Sequence, residues 1–591
     1  MRTTVLTKAI VVVTLVVLAL VPFAHINTFW IFFITVTLTQ TMLLASLNLT
    51  LGYGGLISLG HNAFFAIGGY ATAYFTVMQG LPVGAGIVLG MLFGALAGLM
   101  LALPALRARA VYFGIITLSF LFLTSETVSN WRAVGGFLGI PNVPGMSIAG
   151  HHFGTNDYYW FALGVFVVMM GMLQQLSASA VGRSFIAIRE NEAAAASLGI
   201  NVFATKMLNL VLSGMLAGLA GALAAHLTGG VFPEAASFVS GFRLFVAIVV
   251  GGVGTFAGPL LGMAVVATID RFTVNWTTAQ PILFGVMLIG SLAVMRLGLV
   301  GTILTSRFGR LFLRVPPLPA GAEPARAAPT PIGTKREPLL RVKGMSKRFE
   351  GVHALVDVDL SVETGTIHGL IGPNGSGKTT FVNCLTGYLR RDGGRIEYDG
   401  REVDKPRPHA MARAGVVRIF QRAEEFGRLL VVQNVIMGLH LRSDRNLLRC
   451  VVPWPRRRRS EQLLIGEAMG ILSAVGLGHR ALTPIRDLPH GERRLVEVAR
   501  AVAARPRLLV LDEPATGLTA VELARLRALL LSLRADGLTI LVIEHNMDFL
   551  MDLVDRVTVL ESGRRIAVGE PLRIQRDPAV VEAYLGERIP A

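Results

Sequence analysis

The run Gly372-Pro373-Asn374-Gly375-Ser376-Gly377-Lys378-Thr379 has the spacing G-x-x-x-x-G-K-T. Such a P-loop is a phosphate cradle: its glycines let backbone N–H groups close on an anion, and the helix that follows adds the positive end of its dipole. The flanks fit, with the strand-like Thr366–Ile371 before it and the helical Thr380–Leu389 after it. Lys378 then reaches the β- and γ-phosphates, the Thr379 hydroxyl ligates Mg²⁺, and Thr380 closes the ATP-binding run. Further along, the apolar Leu508–Leu511 delivers Asp512 and Glu513. A buried strand ending in two carboxylates suits phosphoryl transfer, with Asp512 holding Mg²⁺ and Glu513 polarising the attacking water. Another apolar strand, Thr539–Ile543, ends in Glu544-His545, and His545 has the order and spacing to contact the γ-phosphate. These residues predict Mg²⁺-dependent ATP hydrolysis.

The chain around them is unlike a soluble enzyme. It is 52% hydrophobic and 16% charged, too apolar for an ordinary globular domain. Residues 1–314 hold six acids, Glu126, Asp157, Glu190, Glu192, Glu234 and Asp270, among long apolar runs. From about residue 335 onward charges are frequent. Between the halves runs a tether with Pro316, Pro317, Pro319, Pro324, Pro329, Pro331 and Pro338, which builds no core. The expected domains are a membrane domain at 1–314, a cytoplasmic linker at 315–337 and an ATP-binding domain at 338–591.

A net charge of +17 raises the question of nucleic acid. Much of it lies at the ends of apolar segments or in Arg456, Arg457, Arg458 and Arg459, which suits cytoplasmic orientation and anionic lipid headgroups. No nucleic-acid reader motif accompanies it, so lipid and not nucleic acid is the expected partner. The two cysteines, Cys384 and Cys450, fit a reducing cytoplasm. The first apolar run, Ala9 to Val21, has no small-x-small cleavage site after it and reads as a membrane helix, not a signal peptide.

Spanning helices need ~20 apolar residues, and the sequence offers them at about 9–24, 29–50, 61–79, 82–103, 111–129, 158–176, 205–228 and 280–300. With Arg2 and Lys8 inside, the loop of Arg107 and Arg109 and that of Arg183, Arg189 and Lys206 also fall inside. A cytoplasmic ATP-binding half then requires 242–270, interrupted by Gly251, Gly252, Gly254, Gly258 and Pro259, to be re-entrant or a broken pair. Close glycine-mediated helix packing explains the same residues equally well.

The ATP-binding half resembles the ABC ATPases, an α/β P-loop fold with a helical subdomain. Gln421, in Arg418-Ile419-Phe420-Gln421, resembles their Q-loop, and Leu488-Pro489-His490-Gly491-Glu492 resembles their signature motif. Phe349 takes the place of the aromatic that stacks on adenine. The resemblance implies Glu513, His545 and Gln421 as catalytic residues and Thr379, Gln421 and Asp512 as Mg²⁺ ligands. It also implies that the signature completes a partner's ATP site. Pro489 and Glu492 stand where the family carries serine and glutamine, which predicts a weakened site opposite this chain's own.

The membrane half resembles the permeases of high-affinity branched-chain amino-acid importers. The resemblance rests on Leu51–His61, on Gly182–Glu192 running to Ile200, and on Gly251–Pro259. It makes the chain a polytopic α-helical permease fused to its ABC ATPase. A periplasmic substrate-binding protein and a second permease and ATPase, or self-association, complete an inner-membrane importer. The amphipathic stretch 183–200, with Arg183, Arg189, Glu190 and Glu192, is by resemblance the coupling helix. Ser58, His61 and Asn62 are candidates for the substrate path, and Glu234 and Arg243 lie on the outer side. Urea or short amides are the alternative cargo, and a degenerate ATPase acting as scaffold is the alternative to an enzyme.

Overall fold

The computed structural model describes residues 5–24, 26–106, 110–148, 151–276, 279–295, 297–305, 338–421, 425–427, 429–452 and 455–585. The expected tether at 315–337 and the loop of Arg107 and Arg109 lie outside them. The chain forms two compact units. The first comprises Met1–Arg189, Phe203–Pro316 and Arg445–Pro453; the second comprises Glu190–Val202, Pro317–Asp444 and Trp454–Ala591. Each unit therefore takes in a short segment from the other half of the sequence.

The first unit is helical: α1 (Val5–Leu20), α2 (Thr28–Leu47), α3 (Asn62–Ala73), α4 (Val83–Ala105), α5 (Ala110–Asn130), α6 (Thr155–Ala178), α7 (Ala180–Glu190, shared at its end with the second unit), then, after α8 (Glu192–Ser197), α9 (Val202–Thr228), α10 (Phe238–Gly251), α11 (Gly258–Phe272), α12 (Ala279–Val294) and α13 (Gly298–Thr305). Among the described residues six helices are long and apolar enough to cross a membrane: Thr28–Tyr53, Val83–Pro104, Tyr112–Asn130, Thr155–Ala178, Val202–Thr228 and Ala279–Ile303. The crossing expected at 61–79 is shorter: α3 and its wide last turn end at Met78, about one turn short of ~20 residues. The stretch 242–270 is two helices. At 14 and 15 residues and ~1.5 Å per residue, neither α10 nor α11 spans a ~30 Å core.

Small residues decide how the long helices meet. Gly90, Gly94 and Gly98 recur along one face of α4, against Gly214 and Gly218 of α9 and Gly68 of α3. A Cβ at Gly94 would stand 2.3 Å from the Gly214 carbonyl oxygen, and one at Gly218 2.5 Å from that of Gly90. The backbones touch, leaving no room for any side chain.

The second unit carries two sheets. β1 (Pro338–Phe349), β2 (Val352–Glu363), β4 (Gly393–Tyr398) and β5 (Arg401–Glu402) form an antiparallel sheet in the order β2-β1-β4-β5. β3 (Ile367–Ile371), β6 (Val416–Ile419), β7 (Leu508–Asp512), β8 (Thr539–Ile543), β9 (Arg556–Glu561) and β10 (Arg564–Gly569) form the other, in the order β6-β7-β8-β3-β9-β10. All its pairings are parallel except β9 with β10. Every residue of β3, β7 and β8 is buried, which explains the runs Leu508–Leu511 of β7 and Ile540–Ile543 of β8. Helix α14 (Lys378–Thr386) follows β3. Helices α15 (Val431–Gly438), α16 (Pro455–Ala474) and α17 (His490–Ala503) build a separate apolar cluster around Val435, Leu472 and Val496. In such sheets ligands bind at the carboxyl ends of the strands, where β3, β7 and β8 deliver the residues singled out from the sequence.

Gly94→Leu is expected to lower the melting temperature of the detergent-purified chain, since overpacking of this kind costs ~1–3 kcal/mol or more. Gly164→Leu, at a glycine of α6 with open space beside it, is the control. Equal melting of both variants contradicts the packing described.

Candidate functional site

The chain leaves β3 at Ile371 and turns into the cradle. Gly377, at φ +98°, has the Ala354 carbonyl oxygen 2.5 Å from any added Cβ, so only glycine fits. Gly375, at φ +82°, faces open space. A side chain there would fill the cradle, and the clear space fits a phosphate. Lys378 is buried, and its ammonium donates to the Gly372 carbonyl at 2.7 Å and the Pro373 carbonyl at 2.9 Å. Burial holds its pKa below the ordinary lysine range, against the pull of Glu513 and Asp512. A phosphate oxygen offers this ammonium a charged acceptor in place of neutral ones. Ser376 is buried beneath the loop, Pro373 and Thr380 are half-buried, and Asn374 and Thr379 stand exposed at its mouth.

Past β7 the backbone turns sharply, with Glu513 at φ +47° and its N–H donating to the Ile543 carbonyl at 2.8 Å. A non-glycine residue held left-handed carries local strain. The strained turn presents the carboxylate to two other sequence-predicted residues. Gln421 Nε2 donates to Glu513 Oε2 at 2.6 Å, and His545 Nδ1 lies 3.6 Å from the same oxygen. Phe349 stands half-exposed at the tip of the β1–β2 hairpin, with the Lys347 ammonium 5.3 Å from its ring centroid.

The signature stretch opens α17. Leu488 is buried, and Pro489 occupies the N-cap with no side-chain bond to the helix. His490 is exposed. Gly491 packs against Glu522, whose carboxylate oxygen lies 1.9 Å from any added Cβ. Glu492 is paired with Arg480 at 3.4 Å.

The expected coupling stretch is not one helix. Asn191 separates α7 from α8 and caps α8, its Oδ1 accepting from the Ala194 N–H at 2.9 Å. The four residues predicted there are divided: Arg183 and Arg189 belong to the first unit, Glu190 and Glu192 to the second. In the second unit Ala193 accepts from the Tyr388 hydroxyl at 2.7 Å, and Gly199 accepts from Arg413 Nε at 3.3 Å. In the first, Arg183 Nη1 donates to the Ala178 carbonyl at 3.2 Å, and Arg189 donates to the Gly52 carbonyl. Asn48 completes a clasp there: its side chain donates to the Thr255 carbonyl at 2.9 Å and accepts from the Gly254 N–H at 2.8 Å. All three stretches that carry the permease resemblance therefore meet at Gly52, Arg189 and Gly254.

Of the substrate-path candidates, His61 Nε2 is 2.9 Å from the Ser46 hydroxyl, and Ser58 is buried beside it in sequence. Asn62 lines a cavity with Arg243 and Asp270, which neither Ser58 nor His61 lines.

Both halves of the chain match known protein families. A family described as branched-chain amino acid transport system, permease component, matches residues 29–295. The ABC transporter family matches 355–516, and a branched-chain amino acid ATP-binding cassette family matches 564–589. The high-affinity branched-chain amino acid transport ATP-binding protein BraF of Pseudomonas aeruginosa is 40% identical over 42% of this chain and 98% of its own length. The protein LivG of Escherichia coli, of the same description, is 37% identical over 42% of this chain and 99% of its own. A solved ATP-binding cassette of an ABC transporter, in its ADP conformation, aligns at 30% identity and TM-score 0.38, covering 42% of this chain and 100% of that one. The chain belongs to the branched-chain amino acid family of ABC transporters. It is an ATP-hydrolysing membrane transporter with a permease and an ATP-binding cassette fused in one polypeptide.

The motifs of this ABC cassette do not account for three buried charged residues, Arg418, Arg494 and Glu544, nor for the half-buried Arg493. Asp512 is 2% exposed, and Arg418 Nη2 donates to its Oδ2 at 2.6 Å. Arg418 also bonds Asn383 at 2.6 Å and lies over the rings of Phe420 and Tyr388. Arg494 of α17 donates to the carbonyls of Phe420, Asp512 and Glu513 and to Glu497. Arg493 fastens the signature turn through the carbonyls of Leu488 and Arg486 and through Glu425. Glu544 is fully buried and accepts from the N–H groups of Ala515 and His545; burial pushes its pKa up against those bonds. Charges flanked by apolar residues, as in Arg494 to Val498, were the available signal.

For Mg²⁺, Thr379, Asp512 and Gln421 offer a hydroxyl, a carboxylate and an amide oxygen, the hard donors this ion takes. Removing one partner of a buried ion pair costs ~3–5 kcal/mol. Arg418→Met is therefore expected to lower the cassette's melting temperature sharply, and adding Asp512→Asn is expected to restore most of the loss. Additive losses in this double-mutant cycle contradict the pairing.

Proposed function

We propose that this chain supplies one permease and one ATPase to an importer of branched-chain amino acids in the inner membrane. The reading rests chiefly on one observation: a permease region at 29–295 shares a chain with a cassette whose relatives are named for branched-chain amino acid transport. The permease domain is taken as 1–314, the linker as 315–337 and the cassette, facing the cytoplasm, as 338–591. A periplasmic substrate-binding protein and a second permease and ATPase, or a second copy, complete the assembly, with lipid around the membrane domain.

ATP is held by Phe349 on the base side and by Gly372–Thr380 on the phosphates. Lys378 neutralises charge that develops on the terminal phosphate, while Glu513, aligned by Gln421 and His545, accepts a proton from the attacking water. Bound Mg²⁺ supplies further neutralisation from Thr379, Asp512 and Gln421. Segment 190–202 carries the response onward, because the chain passes through the second unit there between two stretches of the first.

The assembled ATP site argues for turnover and against a scaffold, but Pro489 makes the machine unequal. A serine at this N-cap offers a hydroxyl to a facing phosphate and to the helix N–H groups; proline offers neither. The site completed by this signature is the slower one.

The test is uptake of radiolabelled leucine by cells carrying the chain with its neighbouring genes and lacking other leucine carriers. Glu513→Gln is expected to cut ATP turnover and uptake by ~10²-fold or more, and Pro489→Ser to raise turnover. Uptake unchanged by Glu513→Gln overturns the proposal, and uptake of urea but not leucine overturns the cargo. Turnover unchanged by Pro489→Ser overturns the asymmetry.

A further inference from the structure

The first unit holds a cavity of about 240 Å³ between α2, the start of α3, and helices α10 and α11. Its wall is largely apolar, with Phe33, Val36, Phe65 and Met263, yet Arg243 and Asp270 open onto it as well. An ionisable pair among membrane helices is expensive and marks a functional site by default. Arg243 Nη1 and Asp270 Oδ1 are 2.8 Å apart. Gln280 ties both down, accepting from Arg243 Nη2 at 2.8 Å and donating to Asp270 Oδ1 at 2.9 Å. The Phe284 ring lies under the guanidinium, 5.7 Å from its carbon.

Two polar atoms at this cavity are buried and have no partner: the donor Arg243 Nε and the acceptor Asn62 Oδ1. Asn62 is 4% exposed, and its amide nitrogen is turned away to the Ala235 carbonyl at 3.4 Å. A buried group left unpaired costs ~1–3 kcal/mol, so two in one cavity call for a ligand with one acceptor and one donor. The space limits its size. At ~30 Å³ per water-sized group, 240 Å³ admits on the order of eight non-hydrogen atoms, far fewer than a drug-sized ligand.

We infer that this cavity is a binding site for the transported zwitterion, a small aliphatic α-amino acid. Its carboxylate accepts from Arg243 Nε, its ammonium donates to Asn62 Oδ1 and Asp270, and its side chain packs on the apolar wall. Gln280 is a positioning residue that keeps the ion pair from collapsing into the cavity. The inference rests on the amino-acid cargo proposed above and adds where the permease itself holds that cargo.

The test is binding of tritiated leucine to the full chain in lipid nanodiscs, competed by leucine amide, which lacks the carboxylate, and by 4-methylpentanoate, which lacks the ammonium. Uptake by cells is measured in parallel. The wild-type chain is expected to prefer leucine to each competitor by about tenfold or more, as befits one charged hydrogen bond apiece. Arg243→Gln is expected to erase the preference over leucine amide alone, and Asn62→Leu to shrink the preference over 4-methylpentanoate alone. A variant that merely misfolds loses binding of all three ligands, so the ratios report recognition and not folding. The cavity-filling Ala267→Leu, which touches neither polar atom, is expected to exclude leucine while admitting glycine. Leucine uptake with ratios unmoved by both polar variants overturns the site and spares the cargo. No leucine uptake by wild-type cells overturns the cargo and the site together.

Discussion

A charge removed from water must be met by another group, and in this protein arginines meet that demand. Asp512, at the end of a fully buried strand, is held by Arg418. Arg494 does the same for the carbonyls of the turn after Asp512. These bonds join the signature helix, the segment before Gln421 and the two carboxylates into one body. With Glu513 already strained at positive φ, such over-determination is what keeps an unfavourable backbone in place. The same guanidinium of Arg418 lies over Tyr388, whose hydroxyl bonds Ala193 of the segment lent by the permease half. A line of direct contacts thus runs from the Asp512 carboxylate to residues 190–202.

The membrane unit solves the same problem for its backbone. Irregular chain buried in the protein needs polar partners there, and Asn48 and Arg189 provide them for the stretches after α2 and α10. Arg189 is the last residue of its unit before the chain enters the other. Close glycine packing among α3, α4 and α9 holds the surrounding helices backbone to backbone.

Much of this was legible in the sequence, unevenly. The P-loop, the carboxylate pair and Gln421 announce themselves because phosphate chemistry demands fixed residues at fixed spacing, and the fold gathers Gln421, Glu513 and His545 as expected. Apolar length gave most membrane helices, but 61–79 came out short and 183–200 came out broken, since Asn191 is a better N-cap than helix interior. The glycines at 251–258 left two readings open, and the structure contains both features: a broken helix pair, and close approach, with a Cβ at Gly251 2.0 Å from the Gly258 carbonyl oxygen. The bonds of Arg418 to Asp512 and of Gln280 to Arg243 were illegible, because each joins residues far apart in the chain.

The proposed function makes 190–202 the route by which nucleotide state reaches the permease. Amide hydrogen exchange in that segment tests it most directly, using the full chain in lipid nanodiscs with Glu513→Gln to prevent hydrolysis. ATP is expected to slow exchange between Ala193 and Ile200, and Tyr388→Phe, which removes the bond to Ala193, to blunt the effect. Exchange there that ignores ATP, while the P-loop amides respond to it, rules this route out.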